Sequence, residues 1–191
     1  MITLPFYIRA DDPPAKQEIL RAALKLFSER GLEGTSIRDI ANASGYTNPA
    51  LYKHFASKEA LALHLFETCH ARVWQSCADA LASGRGFGAK LDAFVACWLE
   101  LIDDHPDVIA FLSDSARVLW PRSGAKVRRN TMIGLARSLA RTGGAPHPDL
   151  AAAALQGTLA EVARMIQVGV LAGPAKRWKD ALAATFKRLA G

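Results

Sequence analysis

Between residues 15 and 30, apolar side chains fall at Ile19, Leu20, Ala23, Leu26 and Phe27. Spacing by three and four puts them on one face of a helix. Pro13-Pro14 blocks helix ahead of this stretch and can start one after it, and Gly31 supplies a stop. The next apolar positions, Ile37, Ile40 and Ala41, follow Thr35-Ser36, where Ser36 and Asp39 make a Ser-x-x-Asp capping box. This predicts a short second helix that ends near Ser44-Gly45. Thr47 caps a third helix to His54, with Pro49 in its first turn, and Ser57 opens a long fourth helix to about Ser83.

Downstream the helical pattern continues, punctuated by Gly and Pro. Helices are predicted over 89–104, 107–120, 124–142, 149–172 and 175–190. The breaks are at 83–88, 105–106, 121, 143–148 and 173–174. Ala and Leu dominate, and Val, Ile and Thr are not gathered into alternating runs, so no strand is expected. The chain is predicted to be all-α with about nine helices: an N-terminal three-helix head over 13–60 and a C-terminal helical bundle core over 61–191.

Two short helices joined by a tight turn at Ala43-Ser-Gly-Tyr46 fit a helix-turn-helix. In that motif the second helix enters the major groove of DNA by its N-terminal end. Gly45 suits the turn because a residue there commonly takes positive φ. Leu51 and Phe55, four apart, are predicted to face inward. That leaves Ala50, Tyr52, Lys53 and His54 outward, a mixture suited to phosphate and base-edge contact.

The stretch GLEGTSIRDIANASGYTNPALYKHFASKEAL closely resembles the DNA-binding head of the tetracycline-repressor (TetR) family. The resemblance covers about Ile19 to Leu65. It rests on Leu26-Phe27, Gly31, Gly34-Thr35-Ser36, Ile40-Ala41, Gly45, Leu51-Tyr52-x-His54-Phe55 and Lys58-Glu59-x-Leu61 taken together. It implies an all-helical homodimer with two DNA heads and a variable core that binds an effector. The expected role is a repressor that leaves a pseudo-palindromic double-stranded DNA operator on binding that effector, with a DNA-binding regulator or activator that has no small-molecule effector as the alternative. By position, Thr47 would donate to a phosphate, and Tyr52, His54 and Lys58 would also contact phosphates. Thr35, Ser36 and Arg38 would lie at the front of the supporting helix. Asn48, Ala50 and Lys53 would set sequence preference. Ala50 offers no hydrogen bond, which shifts weight toward shape readout.

Charge modifies this picture. The formal net charge is +6, yet residues 15–60 hold seven Lys/Arg against five Asp/Glu. The larger excess is Arg117, Arg122, Lys126, Arg128, Arg129, Arg137 and Arg141, with no acid between Asp114 and Asp149. A solvated helix face, an anionic effector and a second DNA contact all fit that run. In the core, Phe94, Trp98, Phe111, Trp120, Met132 and Met165 are candidate linings for a small apolar or amphipathic effector, with Trp98 and Asp103 as polar contacts. Dimerisation is expected through the last two helices, using Leu155, Leu159, Val162, Ile166 and Leu171, then Trp178, Leu182, Phe186 and Leu189. Gly157 and Gly169 would allow close approach.

Other classes find less support. No Ser/His/Asp or Cys/His constellation points to an enzyme, and neither a metal nor a cofactor is expected. Cys69, Cys77 and Cys97 show no CxxC spacing, and Cys69 and Cys77 lie about 12 Å apart along an intact helix. Residues 1–14 do not read as a signal peptide, and no apolar run reaches the roughly 18 residues of a membrane span. A cytoplasmic protein that binds no membrane is therefore expected.

Overall fold

A computed structural model describes residue 5 and residues 7–190, with the side chains of Leu189 and Ala190 excluded. The signal-peptide reading of residues 1–14 and the placement of Leu189 thus fall partly or wholly outside the described residues. The elements are α1 (Pro14–Arg30), α2 (Ile37–Ser44), α3 (Asn48–Tyr52), α4 (Lys58–Ser83), α5 (Gly86–Asp104) and α6 (Pro106–Leu119). A 3-10 turn (Trp120–Arg122) precedes α7 (Ala125–Arg129), α8 (Met132–Thr142) and α9 (Pro148–Gln167). A second one (Ala175–Trp178) leads into α10 (Lys179–Ala190). No strand occurs among the described residues.

The chain divides into two units. One takes residues up to Arg72 together with Ala110–Arg128; the other takes Val73–Ile109 together with the chain from Arg129. The first is built on α1, which buries Ile19, Leu20, Ala23, Leu24, Leu26 and Phe27 and packs against α2 and α3. Its centre is aromatic. Phe27 stacks on Phe111 at 5.7 Å between centroids, and Phe66 meets Phe111 and Trp120 edge-on at 6.4 and 6.5 Å. His70 is buried beside Trp120, 5.1 Å between rings, and burial lowers its pKa. Its Nδ1 has no partner among the described residues.

The second unit packs α5, α8, α9 and α10. Leu91, Phe94, Val95, Trp98 and Leu99 of α5 are buried, as are Ala136 and Leu139 of α8. Leu155, Leu159 and Val162 of α9 and Phe186 of α10 are buried too. These last four were expected on a dimer face; they serve this unit's own core instead. Asp103 also departs from expectation. Its carboxylate accepts the backbone N–H of Ala175 at 2.5 Å and of Lys176 at 3.1 Å, fastening the 3-10 turn to α5.

Several helix bounds differ from those read in the sequence, and three of the differences have a plain local origin. The helix expected over 124–142 is two helices, because Thr131 caps α8 by accepting the Gly134 N–H at 3.0 Å. Such a side chain competes with the backbone ladder. The helix expected to reach residue 172 stops at Gln167. Gly169 takes φ 74° there, and Val170 N–H returns to the Met165 carbonyl at 2.8 Å. Gly169 thus ends α9 rather than easing contact along it. The joint expected over 83–88 is shorter, since α5 begins at Gly86.

Candidate nucleic-acid interface

The front of α2 is set by a reciprocal cap. Ser36 Oγ accepts the Asp39 N–H at 3.2 Å, and Asp39 Oδ2 accepts the Ser36 N–H at 2.8 Å. Hydrogen bonds from the Ser36 hydroxyl and backbone hold the Asp39 carboxyl below its usual range. Behind α2, Gly45 adopts the left-handed conformation (φ 75°, ψ 16°), and Tyr46 N–H closes onto the Ala41 carbonyl at 3.1 Å. The chain then enters α3 through Thr47, extended at φ −92° and ψ 158°. The Thr47 carbonyl accepts the N–H groups of Ala50 and Leu51 at 3.0 and 3.1 Å, while its side chain makes no cap hydrogen bond. An exposed hydroxyl is therefore left at the tip of the helix.

Leu51 and Phe55 are buried, 1% and 8% exposed, and orient α3. The remaining positions include Asn48, Tyr52 and Lys53, all exposed, and Ala50 and His54, half-buried. The third helix is shorter than expected, ending at Tyr52 rather than His54. Lys53, His54 and Phe55 continue as a turn in which His54 and Phe55 N–H groups both bond the Leu51 carbonyl at 3.0 Å.

Eight candidate residues thus lie exposed or half-buried along residues 36–54: Ser36, Arg38, Thr47, Asn48, Ala50, Tyr52, Lys53 and His54. Thr35 is placed differently. It is 2% exposed, and its hydroxyl donates to the Gly31 carbonyl at 2.9 Å, with the Leu26 carbonyl at 3.3 Å as a weaker second acceptor. That side chain locks the α1–α2 connection. Lys58 is half-buried and donates to the Leu32 carbonyl at 2.7 Å, bracing the same connection. Sequence reasoning missed Asp12. It is 8% exposed and accepts the Arg9 N–H at 3.0 Å and the Lys16 ammonium at 2.7 Å ahead of α1. Burial raises its pKa, but these hydrogen bonds outweigh it and the carboxyl is held low. The pair is the i,i+4 spacing of Asp12 and Lys16, which was legible.

The candidate effector residues do not gather at one place. Phe111 and Trp120 belong to the first unit's aromatic centre; Phe94, Trp98, Met132 and Met165 belong to the second unit. The second unit contains an apolar cavity of about 20 Å³ lined by Phe87, Leu91, Leu139, Leu155 and Phe186 among others, and none of the six borders it. That is close to one water in size. Trp98 Nε1 is buried without a partner among the described residues. Of the basic run, Arg117, Arg122, Lys126 and Arg128 are exposed in the first unit, while in the second Arg129 is exposed and Arg137 pairs with Asp149.

Residues 19–65 match the family model of bacterial regulatory proteins, tetR family. Over 114 residues the chain is 35% identical to the HTH-type transcriptional repressor KstR2 of Rhodococcus jostii, a match covering 58% of this chain and 56% of that protein. The chain thus spans about half the length of the curated relatives it matches. Its fold is similar to that of the ketosteroid transcriptional regulator KstR2 of Mycobacterium tuberculosis, with a TM-score of 0.81, 21% identity and 97% of each chain covered. The transcriptional regulator FadR from Bacillus subtilis, solved in complex with stearoyl-CoA, aligns with a TM-score of 0.70 at 14% identity, covering 90% of this chain and 97% of that one.

Proposed function

We propose that this chain, whose residues 19–65 match the family model of bacterial regulatory proteins, tetR family, is a member of that family and acts as a homodimeric DNA-binding transcriptional repressor released from its operator by a small-molecule effector. The observation that carries the reading is the assembled face of α3. A left-handed glycine turn aims a helix whose inner side is pinned by Leu51 and Phe55 and whose outer side offers donors to DNA. Thr47 brings a free hydroxyl to a helix N-terminus, where backbone N–H groups and the dipole favour a phosphate. Tyr52, His54, Ser36 and Arg38 serve phosphate or sugar contacts, and Lys58 and Thr35 brace the head from behind. Asn48 pairs with adenine and Lys53 with guanine, while the Ala50 methyl meets a thymine methyl. In this reading residues 13–60 are the DNA head and 61–191 the effector and dimer region.

Dimerisation through α9, the segment after it and α10 is supported by exposed apolar side chains: Leu150 at 69%, Val168 at 58% and Val170 at 65%. A two-fold dimer would set two α3 helices in successive major grooves of a pseudo-palindromic site. The effector is read as small and apolar or amphipathic, in keeping with the ketosteroid and stearoyl-CoA named for two regulators of similar fold. The unpartnered Trp98 indole N–H supports a polar contact to it. No helix among the described residues is long and apolar enough to cross a membrane, and a cytoplasmic site of action follows from this role.

A gel-shift titration with the DNA flanking its own gene tests the reading. The expected result is a sequence-specific complex whose log affinity falls linearly with log salt. Absence of any sequence-specific complex from 50 to 200 mM salt, about the range over which phosphate contacts weaken binding, would overturn it. A second reading, a DNA-binding regulator with no small-molecule effector, is favoured by the one-water size of the cavity lined by Phe87, Leu91 and Phe186; the roomier pockets of the second unit, around Pro146 and Leu150, are open to the surface. It predicts that apolar thioesters and sterols leave both the melting temperature and the DNA complex unchanged.

A further inference from the structure

Cys77 of α4 and Cys97 of α5 lie in the second unit with their sulfurs 3.9 Å apart. They sit twenty residues apart in sequence, on either side of the short α4–α5 joint. The two thiols differ in environment. Cys77 is fully buried, whereas Cys97 is half-buried. The two thiols are in hydrogen-bond contact and either sulfur can donate; the contact lowers the Cys97 pKa and, with burial, pushes Cys77 up. Carboxylates of Glu100 and Asp79 stand near Cys97 and work against its thiolate. Those charges favour a neutral oxidant over an anionic one. Cys69 is different: it is buried in the other unit, its thiol is pushed up to about 12, and it has no sulfur partner.

We propose that Cys77 and Cys97 form an oxidation site at which hydrogen peroxide or an organic hydroperoxide converts the pair to an intrachain disulfide. The Cys97 thiolate attacks the peroxide oxygen; the O–O bond breaks and the leaving oxygen takes a proton as water or alcohol. Cys97 is then a sulfenic acid. Cys77 gives up its proton and attacks the Cys97 sulfur, the S–O bond breaks, and water leaves as the S–S bond forms. Two thiols and one hydrogen peroxide become one disulfide and two waters. The sulfurs must approach by about 2 Å to reach bonding distance, a movement on the scale of a side-chain rotation. Cys97 is the attacking residue because it is the one a peroxide can reach, and Cys77 resolves because it is sheltered and already in contact.

The full chain treated with stoichiometric hydrogen peroxide, alkylated under denaturing conditions and digested with trypsin reads this directly. Cleavage after Arg72, Arg85 and Lys90 puts the three cysteines on three peptides. The expected result is loss of two of the three alkylatable thiols, a linked Cys77–Cys97 peptide pair, recovery on reduction, and Cys69 still free. In Cys77→Ala the sulfenic acid should persist at Cys97 and be captured by dimedone. In Cys97→Ala peroxide consumption should slow by about tenfold or more, since the remaining thiols are buried. Circular dichroism and Cys69 protection check that both variants are folded; if either is not, the linked peptide in the parent chain decides alone. Three free thiols after peroxide, a link that includes Cys69, or a link only between chains on a non-reducing gel would each overturn the proposal.

Discussion

Replacing Gly45 with alanine tests whether the turn between α2 and α3 is set by backbone conformation alone. Gly45 is left-handed at φ 75°, and a Cβ built on it meets nothing within 4 Å. The substitution therefore introduces no clash, and its cost reduces to holding an L residue in that conformation, about 1–2 kcal/mol. A stiffer unfolded chain offsets a few tenths of this. Near 1 kcal/mol of destabilisation should lower the melting temperature by about 2–4 °C for a chain of this size. Gly45→Asn should cost less, because asparagine visits the left-handed region more readily. If the turn instead relaxes, the Tyr46 N–H to Ala41 bond is lost and α3 re-aims. DNA affinity would then fall by more than the factor of about ten that 1.4 kcal/mol represents. Urea and thermal melts paired with a DNA titration separate these outcomes. Two results would refute the reasoning: a Gly45→Ala melt indistinguishable from the parent, or a loss above about 4 kcal/mol, the scale of core disruption.

Phe27→Ala removes a ring that is 1% exposed and stacked on Phe111, and should cost about 3–5 kcal/mol in urea denaturation; a loss below about 1 kcal/mol would contradict the aromatic centre. His70 has a depressed pKa in the folded state, so its burial stabilises the fold above its unfolded pKa of about 6.5. That contribution is lost as pH falls through the folded value. The urea midpoint should accordingly fall as pH drops below the unfolded value, from about 6.5 to about 5.5, and His70→Gln should weaken the dependence, leaving the part due to His64, which burial also holds low. Lys53→Ala should weaken DNA binding without changing the melting temperature by more than a degree or so, since Lys53 is exposed. If Lys53 reads a base, the loss will depend on operator sequence; if it meets a phosphate, the loss will be uniform and the salt slope will fall by about one.

The head was legible because its signals are local. A capping box, a left-handed glycine and two apolar residues four apart each act within one turn of chain, and the structure shows Ser36, Gly45, Leu51 and Phe55 in those roles. What escaped sequence reasoning depends on which face of a helix meets which neighbour. Thr35 looks like a surface threonine until its hydroxyl is seen bonded to the Gly31 carbonyl. Leu155 and Leu159 suit a partner chain as well as a core, and only α5 and α8 decide between them. Aromatic and methionine side chains carry no address, so Phe111 and Trp120 could not be assigned to a different unit from Phe94 and Trp98. The break at Thr131 turns on a hydroxyl choosing Gly134 N–H, a competition that periodicity does not register.

The division of labour in α3 has an evolutionary consequence. The helix is five residues long, far too short to persist by its own hydrogen bonds. Leu51 and Phe55 lend it shape, and Gly45 aims it. Thr47, Asn48 and Lys53 are exposed and Ala50 only half-buried, so they add little to folding. Selection can therefore rewrite those positions at small cost in stability. A library randomised at the four would hold mostly folded members, and new operator preferences would be drawn from it without rebuilding the head.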